Sequence, residues 1–182
     1  QQILAVTFTN KAANEMKSRL KGLLGEHADL VWAGTFHSIC LRILRRHAKL
    51  LGYSPDFVVY DDQDSKGVVK EILKELGLSD KKHPAQSFLS AFDYAKNAYV
   101  LPDEFAKGAK SLEANLQAQV YELYQKALLR ANAMDFGDLL VNAVRLFEGH
   151  HDILQYYQSA IRFVLVDEFQ DTNKVQYLFL SS

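Results

Sequence analysis

Two adjacent carboxylates near the carboxyl end of the sequence have the type and spacing to do chemistry. Asp167 and Glu168 directly follow the apolar run Phe163–Val166, which is typical of a buried strand. Such a strand would place both acids at the carboxyl edge of a sheet, where open α/β sheets bind ligands. There, carboxylates can hold a magnesium ion and handle the proton of an attacking water, as nucleotide hydrolysis requires. An isolated Asp-Glu pair in this setting is more often a strand end and a helix cap.

A second candidate site surrounds Phe8, which stands between Thr7 and Thr9 and is followed by Asn10. The pattern predicts a strand before Phe8 and a helix after Asn10, so the aromatic ring lies at a strand-to-helix turn. A ring in this position can stack on a base, while hydroxyls, the amide and the helix amino terminus can bind phosphates. The alternative is that Phe8 belongs to the core and that Thr9 or Asn10 only caps the helix.

The same geometry recurs at residues 34–38, Gly-Thr-Phe-His-Ser. Thr35 and His37 can contact a phosphate at the start of the next helix, although a lone histidine there is more often a structural hydrogen-bond partner. The face of this helix that carries Arg42, Arg45 and Arg46 is either a contact for a polyanion or, more commonly, a solvated surface.

The composition is that of an ordinary globular chain. Its 182 residues, 48% hydrophobic and 24% charged, fit one substantial domain or a core with a small insertion. No apolar run approaches the roughly 20 residues of a membrane span, and the single cysteine, Cys40, fits a reducing compartment such as the cytosol. The first 55 residues carry eight Lys/Arg against three Asp/Glu, and this basic bias suggests a polyanion partner.

Apolar periodicity predicts an α/β frame with an all-helical insertion. Strands are expected at residues 3–8, 30–33 and 163–166, with a short strand or extended segment at 57–60. No strand is expected between about residues 61 and 135. The first expected helices are one with the apolar stripe Ala13, Met16, Leu20, Leu23 and Leu24, and one that Thr35 caps and Gly52 closes. The later ones are residues 65–76, capped by Asp64 and stopped by Gly77, then 87–98, 112–131, 135–147 and 153–161.

In this order and spacing, the segments resemble the UvrD/Rep/PcrA-type superfamily 1 helicases over essentially the whole chain. Residues 4–13 are similar to the family's first single-strand-binding motif, residues 34–38 to its second, and residues 167–173 to its Walker B signature. Residues 134–140 resemble the segment that re-enters the core. The resemblance implies part of a RecA-like (P-loop NTPase) parallel sheet with an inserted helical subdomain. Its implied parts are residues 1–58 for the first part of the core domain, 59–131 for the subdomain near the duplex junction, and 132–182 for the return to the core.

The resemblance also implies roles for the motif residues. Asp167 would bind the magnesium ion of Mg-ATP, and Glu168 would be the general base toward the attacking water. Gln170 would lie near the γ-phosphate and help couple it to DNA. Phe8 would stack on a base of single-stranded DNA. The residues implied to lie along the DNA backbone or its pocket are Thr7, Thr9, Asn10, Thr35 and His37.

The sequence departs from the family pattern in its phosphate-binding elements. It contains no G-x-x-x-x-G-K-S/T loop (Walker A), which is expected upstream of Gln1 and whose backbone and lysine cradle the β- and γ-phosphates. The second RecA-like domain, which supplies arginine fingers, is expected beyond Ser182. We therefore expect the chain alone to hydrolyse no ATP at a useful rate, and we expect its termini not to be natural boundaries.

The leading hypothesis is that the parent protein is a bacterial ATP-dependent DNA helicase that moves 3′ to 5′ on single-stranded DNA. Two alternatives stay open: a helicase–nuclease subunit of the RecB/AddA kind, and a non-catalytic DNA-binding or partner-docking module derived from a helicase. The resemblance selects no pathway among repair, replication restart and plasmid replication. In a sheet without the expected phosphate-loop strand, the neighbouring strand would have an unpaired edge. Through this edge the chain could also self-associate.

Overall fold

The computed structural model describes residues 2–79 and 81–182. In chain order its first elements are β1 (Ile3–Thr7), α1 (Asn10–Leu24), β2 (Val31–Thr35), α2 (Phe36–His47), β3 (Val58–Val59), α3 (Asp62–Glu75) and α4 (Ala85–Asn97). The later elements are α5 (Pro102–Gly108), α6 (Leu112–Arg130), β4 (Ala133–Met134), α7 (Phe136–Gly149), α8 (His151–Ala160), β5 (Phe163–Val166) and α9 (Lys174–Ser181). Short 3₁₀ turns cover Gly25–Leu30, Ala48–Leu51 and Phe169–Asp171.

A parallel sheet forms the centre of the α/β fold that the sequence predicts. Its strand order is β2-β1-β5. The register places Thr7 opposite Thr35, and Val6 opposite Val166. All three strands therefore end at the same edge of the sheet, and the segments that follow them start side by side.

One hydrophobic cluster joins this sheet to the helices on one of its faces. Leu4 and Val6 of β1 belong to it together with buried side chains of α2, α7 and α9. Thr35 caps α2 as expected, because its hydroxyl accepts a hydrogen bond from the Ser38 amide. The side chains that α2 buries are those predicted for its apolar stripe: Phe36, Ile39, Cys40, Ile43 and Leu44.

Helix α1 covers the opposite face only in part. Residues of the apolar stripe predicted for α1 line one side of the helix, but only Ala13 is buried and Leu23 is 82% exposed. Among the strands, the helix packs mainly on β2, which leaves an apolar cavity of about 640 Å³ between α1, β1 and β5. The stripe is apolar in sequence, but the described chain supplies little that could bury it.

Strand β5 is exposed, contrary to the expectation of a buried strand. The exposed fraction is 61% for Phe163 and 59% for Leu165. Within the described part of the chain, β5 pairs with β1 alone and forms the edge of the sheet. Its apolar composition predicted the strand correctly, but burial depends on neighbours that composition does not specify.

The helices between β3 and β4 form a second hydrophobic cluster with its own aromatic centre. Phe92 of α4 stacks on Tyr121 of α6 with ring centroids 4.7 Å apart and an interplanar angle of 15°. Val69 of α3 and Tyr124 of α6 are fully buried beside them. Helix α5 has no counterpart among the expected helices. Each of the described helices is too short or too polar to cross a membrane.

Two further expectations between residues 61 and 135 need correction. Asp61, rather than Asp64, is the N-cap of α3, because the Asp61 carboxylate accepts hydrogen bonds from the amides of Gln63 and Asp64 at 2.8 and 2.9 Å. The expectation of no strand is also wrong, since β4 pairs in parallel with β3. Two residues are too few for a periodic signal, and Asn132, with φ of +50°, turns the chain into this pairing.

Candidate functional site

The carboxyl edge of the β2-β1-β5 sheet brings the candidate segments together. Thr7 and Thr35 end their strands in register. The Asp167 amide continues the pairing of β5 by donating to the carbonyl oxygen of Val6 at 3.0 Å. The acidic pair, the segment after Phe8 and the start of α2 thus leave the sheet side by side, in the crevice where open α/β sheets bind ligands.

The acidic pair is held by a tight turn. Glu168 has φ of +53° and ψ of +46°, a left-handed conformation that costs a non-glycine residue free energy and is often retained at functional sites. The Gln170 side-chain amide donates a hydrogen bond to the Glu168 carboxylate, and the Asp171 amide donates to the Glu168 carbonyl at 2.9 Å. The turn therefore leaves two carboxylates exposed to solvent directly after β5, with Gln170 beside Glu168.

This acidic pair fits a magnesium ion that is also held by a nucleotide. Among the described residues there is no group of three or more His, Cys, Asp or Glu side chains that would form a complete protein cage for a metal. Mg²⁺ commonly uses only one or two carboxylates and takes its other ligands from phosphate oxygens and water. Asp167 and Glu168 at the open end of a strand match that incomplete donor set.

A cavity of about 400 Å³ next to the acidic pair's sheet edge collects most of the residues expected to contact DNA. Phe8, Asn10, Thr35 and His37 all line it. Phe8 is half-buried, with its ring 5.4 Å from the Phe36 ring, so that the core supports the ring while part of it stays accessible. The interpretation of Phe8 as a core residue is therefore confirmed in part, while stacking of its accessible part on a base stays a prediction.

Two of the expected DNA residues lie outside this cavity. The Thr7 side chain is only 3% exposed. Thr9 is exposed, but its hydroxyl accepts a hydrogen bond from the Ala12 amide at 3.2 Å and so caps α1. Thr9 therefore fixes the turn after Phe8, and the other four expected residues form part of the cavity wall.

Phe136 is a candidate that the sequence reasoning missed. It is the first residue of α7, is 52% exposed and lines the same cavity. Its ring meets the His37 ring edge-on, with centroids 5.9 Å apart and an interplanar angle of 86°. Burial lowers the pKa of His37, so its imidazole is neutral at pH 7 and contributes a ring and hydrogen bonds rather than a charge. A signal for Phe136 existed: an aromatic directly after a capping Asp, within residues 134–140.

Comparison with known proteins assigns the chain to a family. The model of the family described as UvrD/REP helicase N-terminal domain matches residues 1–182. The chain belongs to the UvrD/REP helicase family. Similar relatives include the ATP-dependent DNA helicases PcrA of Staphylococcus epidermidis (strain ATCC 12228) and Staphylococcus aureus (strain COL), each 43% identical over 175 residues, which are 96% of this chain and 24% of the relative. The chain thus spans about a quarter of the length of the curated relatives it matches.

A buried charge cluster joins the helical segment of this UvrD/REP chain to the start of α7. The Lys96 ammonium of α4, in a residue only 1% exposed, lies 2.6 Å from an Asp135 carboxylate oxygen and 2.7 Å from one of Asp138. The Tyr124 hydroxyl donates to Asp135 at 2.8 Å, and the Gln125 amide donates to Asp138 at 3.0 Å. Asp135 and Asp138 also form the capping box of α7. The sequence gives no sign that Lys96 is buried, because a lysine on an amphipathic helix usually faces solvent.

The electrostatics of this cluster follow from its burial. Burial alone would lower the pKa of Lys96, but the Asp138 and Asp135 carboxylates outweigh it and raise that pKa. Burial and the neighbouring Asp135 charge raise the pKa of Asp138 to about 6. Burial opposes ionisation of Asp135 too, yet Lys96 and the hydrogen bonds to its carboxylate hold its pKa below the ordinary value. The ammonium is thus what keeps the carboxylates charged inside the protein.

The arginine face of α2 packs on aromatic rings. The Arg42 and Arg46 guanidinium groups lie 4.8 and 5.6 Å from the centre of the Trp32 ring. Arg45 lies 4.1 Å from the Phe57 ring and donates to the Pro55 carbonyl at 2.7 Å. Cation–π contacts of this kind account for the placement of these three arginines along α2 without requiring a polyanion.

Proposed function

We propose that this chain is the first core segment of an ATP-dependent DNA helicase, with a nucleotide site at Asp167-Glu168 and a single-stranded DNA groove at the 400 Å³ cavity. One observation carries the proposal. A single sheet edge holds the exposed acidic pair and, beside it, a cavity walled by Phe8, His37 and Phe136. A helicase must couple nucleotide hydrolysis to the DNA strand, and this arrangement gives the two sites a shared rigid support.

In the nucleotide site, Asp167 would hold the magnesium ion and Glu168 would accept the proton of the attacking water. When bound, Mg-ATP supplies the phosphoryl group and the charge that the metal partly neutralises. The chain's own contribution is orientation: the left-handed backbone at Glu168 and the hydrogen bond from Gln170 fix the carboxylate. Because Gln170 touches Glu168, it can report the state of the nucleotide to the segment that follows it.

In the DNA groove, Phe8 and Phe136 would offer rings to successive bases, while Asn10, Thr35 and His37 offer hydrogen bonds to the backbone. Stacking tolerates any base because every base has a π face, and this suits an enzyme that moves along DNA of any sequence. The neutral His37 contributes no charge to the phosphates, so that electrostatic attraction must come from the basic residues elsewhere in the first third of the chain.

The finer features of the proposal are the direction of movement, the division of the chain and the compartment. We infer 3′ to 5′ translocation, with a core domain formed by residues 1–58 and 132–182 and a helical subdomain at 59–131 near the duplex junction. The two separate hydrophobic clusters support this division. We also infer a bacterial cytosolic location, which the staphylococcal origin of the similar DNA helicases supports.

On its own, the chain should bind DNA without turning over ATP. Its sequence contains no lysine-bearing phosphate loop, and such a loop supplies the contacts to the β- and γ-phosphates. The isolated chain is therefore expected to act as a non-catalytic DNA-binding module. ATP hydrolysis has to be tested in a protein that also contains a phosphate loop and a second core domain.

Substitution of Phe8 by alanine tests the DNA groove. Stacking of one base on an aromatic side chain contributes about 1–3 kcal/mol, so we expect Phe8→Ala to weaken binding roughly five- to 150-fold. The measurement is the fluorescence anisotropy of a labelled oligo-dT titrated with the chain at low salt, where phosphate contacts add to the affinity.

Tyr94→Ala is the matched control, because Tyr94 is an exposed aromatic residue of α4 that lies outside the groove and outside β5. It should change the affinity by no more than about twofold. Equal affinities for the wild type and Phe8→Ala, with both folded by circular dichroism, would remove Phe8 from the DNA site and leave the proposed groove without its main support.

We further infer that the chain self-associates through β5. Phe163 and Leu165 are exposed on a strand that is paired on one side within the described residues, and such edges template pairing with another chain. Light scattering should show a mass that rises with concentration for the wild type but not for Leu165→Lys, whose charge opposes edge pairing. Leu112→Lys, at an 89% exposed position on α6, should behave like the wild type, and a monomeric wild type at high concentration would refute the inference.

A further inference from the structure

We propose that the carboxyl end of helix α4, residues 96–99, is a positioning element that ties the helical subdomain to both halves of the sheet-edge site. Lys96 fixes the start of α7, which carries Phe136 into the groove. Asn97 fixes the start of α9, which follows the acidic motif. The inference rests on the proposed function, since it assigns these residues a role in connecting the two proposed sites.

The first contact of this element is the buried cluster around Lys96. Its ammonium reaches both carboxylates of the α7 capping box, Asp135 and Asp138. The approach is close enough to exclude a side chain at Gly137, where a Cβ atom would lie 2.7 Å from Cδ of Lys96 and 3.3 Å from its Cβ. Phe136 lies between the two capping aspartates and next to this glycine. Its backbone is therefore held by a residue of α4.

The second contact is made by the neighbouring residue in the chain. The Asn173 side-chain amide donates to the Asn97 side-chain oxygen at 2.8 Å. Asn173 is also the N-cap of α9, where it accepts a hydrogen bond from the Gln176 amide at 2.9 Å. Asn173 follows the turn that carries Glu168 and Gln170 by a few residues. Asn97 thus holds the end of the segment whose other end carries the acidic pair.

The third contact explains an unusual backbone. Tyr99 follows α4 with φ of +54°, a position where glycine would avoid the steric cost. The Tyr99 hydroxyl donates to the Glu148 carboxylate near the end of α7 at 2.5 Å. A glycine could not make this bond. The carboxyl end of α4 is consequently anchored at both ends of α7 and at the start of α9.

These contacts join elements that are far apart in the sequence and connect the two proposed sites through the end of α4. A movement of the turn at Glu168 would be transmitted through Asn173 to Asn97. Lys96, next to Asn97 in the chain, binds Asp135, which directly precedes Phe136. Packing of α4 on both α7 and α9 accompanies these hydrogen bonds. We therefore expect DNA bound in the groove to stabilise the start of α9, and we expect this stabilisation to require Asn97.

Hydrogen exchange of the whole chain, with and without saturating oligo-dT, tests this prediction. In the wild type, DNA should slow exchange of the amides at residues 174–177 by roughly two- to tenfold, the range expected for one net hydrogen bond. Asn97→Ala should abolish that DNA-dependent slowing while still binding the oligonucleotide. Asn97→Asp keeps the oxygen that accepts from Asn173 and should retain the slowing. Asn115→Ala, an exposed asparagine of α6, should match the wild type.

The outcomes separate this inference from the proposed function. If the wild type binds no oligo-dT, the proposed function fails, and the inference fails with it. If DNA binds but leaves exchange at residues 174–177 unchanged, or if Asn97→Ala keeps the slowing, the inference alone is overturned. Equal loss in Asn97→Ala and Asn97→Asp would also overturn it, since the proposed hydrogen bond survives in the second variant.

Discussion

Glu168→Gln is expected to lower ATP turnover by about 10²- to 10⁴-fold, the contribution typical of a general base. The amide keeps the shape of the carboxylate and can still accept the hydrogen bond from the Gln170 side chain. It cannot accept a proton from water. The loss should therefore appear in kcat, with a much smaller change in KM for ATP.

The measurement needs the parts that complete a nucleotide site. A suitable protein is a chimaera in which this chain replaces the matching quarter of the Staphylococcus epidermidis relative. Steady-state phosphate release gives kcat and KM. Glu113→Gln, at an exposed glutamate of α6, is the matched control and should stay within about twofold of the parent. Comparable turnover in the Glu168→Gln and Glu113→Gln chimaeras would exclude Glu168 as the base.

Lys96→Met is expected to destabilise the chain by about 3–5 kcal/mol, because it removes one partner of a buried ion cluster and leaves carboxylates without a counter-charge. Methionine fills a similar volume, so a cavity contributes little. Urea denaturation followed by far-ultraviolet circular dichroism gives the free energy of unfolding. Lys126→Met is the control, since the Lys126–Glu122 pair on α6 is more than half exposed and such pairs contribute about 0–1 kcal/mol.

The cost of Lys96→Met should depend on pH in a defined direction. Burial already raises the pKa of Asp138 to about 6, and without the ammonium burial would raise the pKa of Asp135 as well. A carboxyl group whose pKa is higher in the folded state than in the unfolded state takes up protons on folding, so stability rises as the pH falls through that range. The destabilisation should be smaller near pH 5 than near pH 8. A pH-independent loss would point to packing instead of charge.

The sequence predicted the central strands and the caps of α1 and α2 because those signals are local. Runs of apolar residues predicted β1 and β5, Thr35 caps α2 as expected, and Thr9, one of two expected candidates, caps α1. Asp61 and Asp64 show the limit of a local signal. Both aspartates take part in one capping box, so that composition alone does not say which of them precedes the helix.

Burial was harder to predict than secondary structure. Leu23 and Leu165 have apolar side chains in the expected helix and strand, yet both are exposed, since burial depends on what packs against them. Lys96 is the opposite case. It has a charged side chain on a helix, and only the tertiary structure reveals that α7 brings two carboxylates to it.

In the candidate site too, residues with local sequence signals were predicted, and residues placed by tertiary contacts were not. Asp167, Glu168 and Phe8 could be chosen from sequence because strand ends in a parallel sheet converge at one edge. Phe136 was not chosen, although it directly follows a capping Asp, because its place beside His37 is set by tertiary packing. The contacts of Asn97 and Tyr99 likewise join helices that no local pattern relates.

The most direct test of a shared site is the dependence of ATP turnover on single-stranded DNA in the chimaera. A shared sheet edge for the nucleotide site and the DNA groove predicts that oligo-dT raises kcat by about tenfold or more, the equivalent of roughly 1.4 kcal/mol of coupling. It also predicts that Phe8→Ala shifts the half-maximal DNA concentration upward. Turnover that is the same with and without oligo-dT would contradict the central claim that this edge links hydrolysis to the strand.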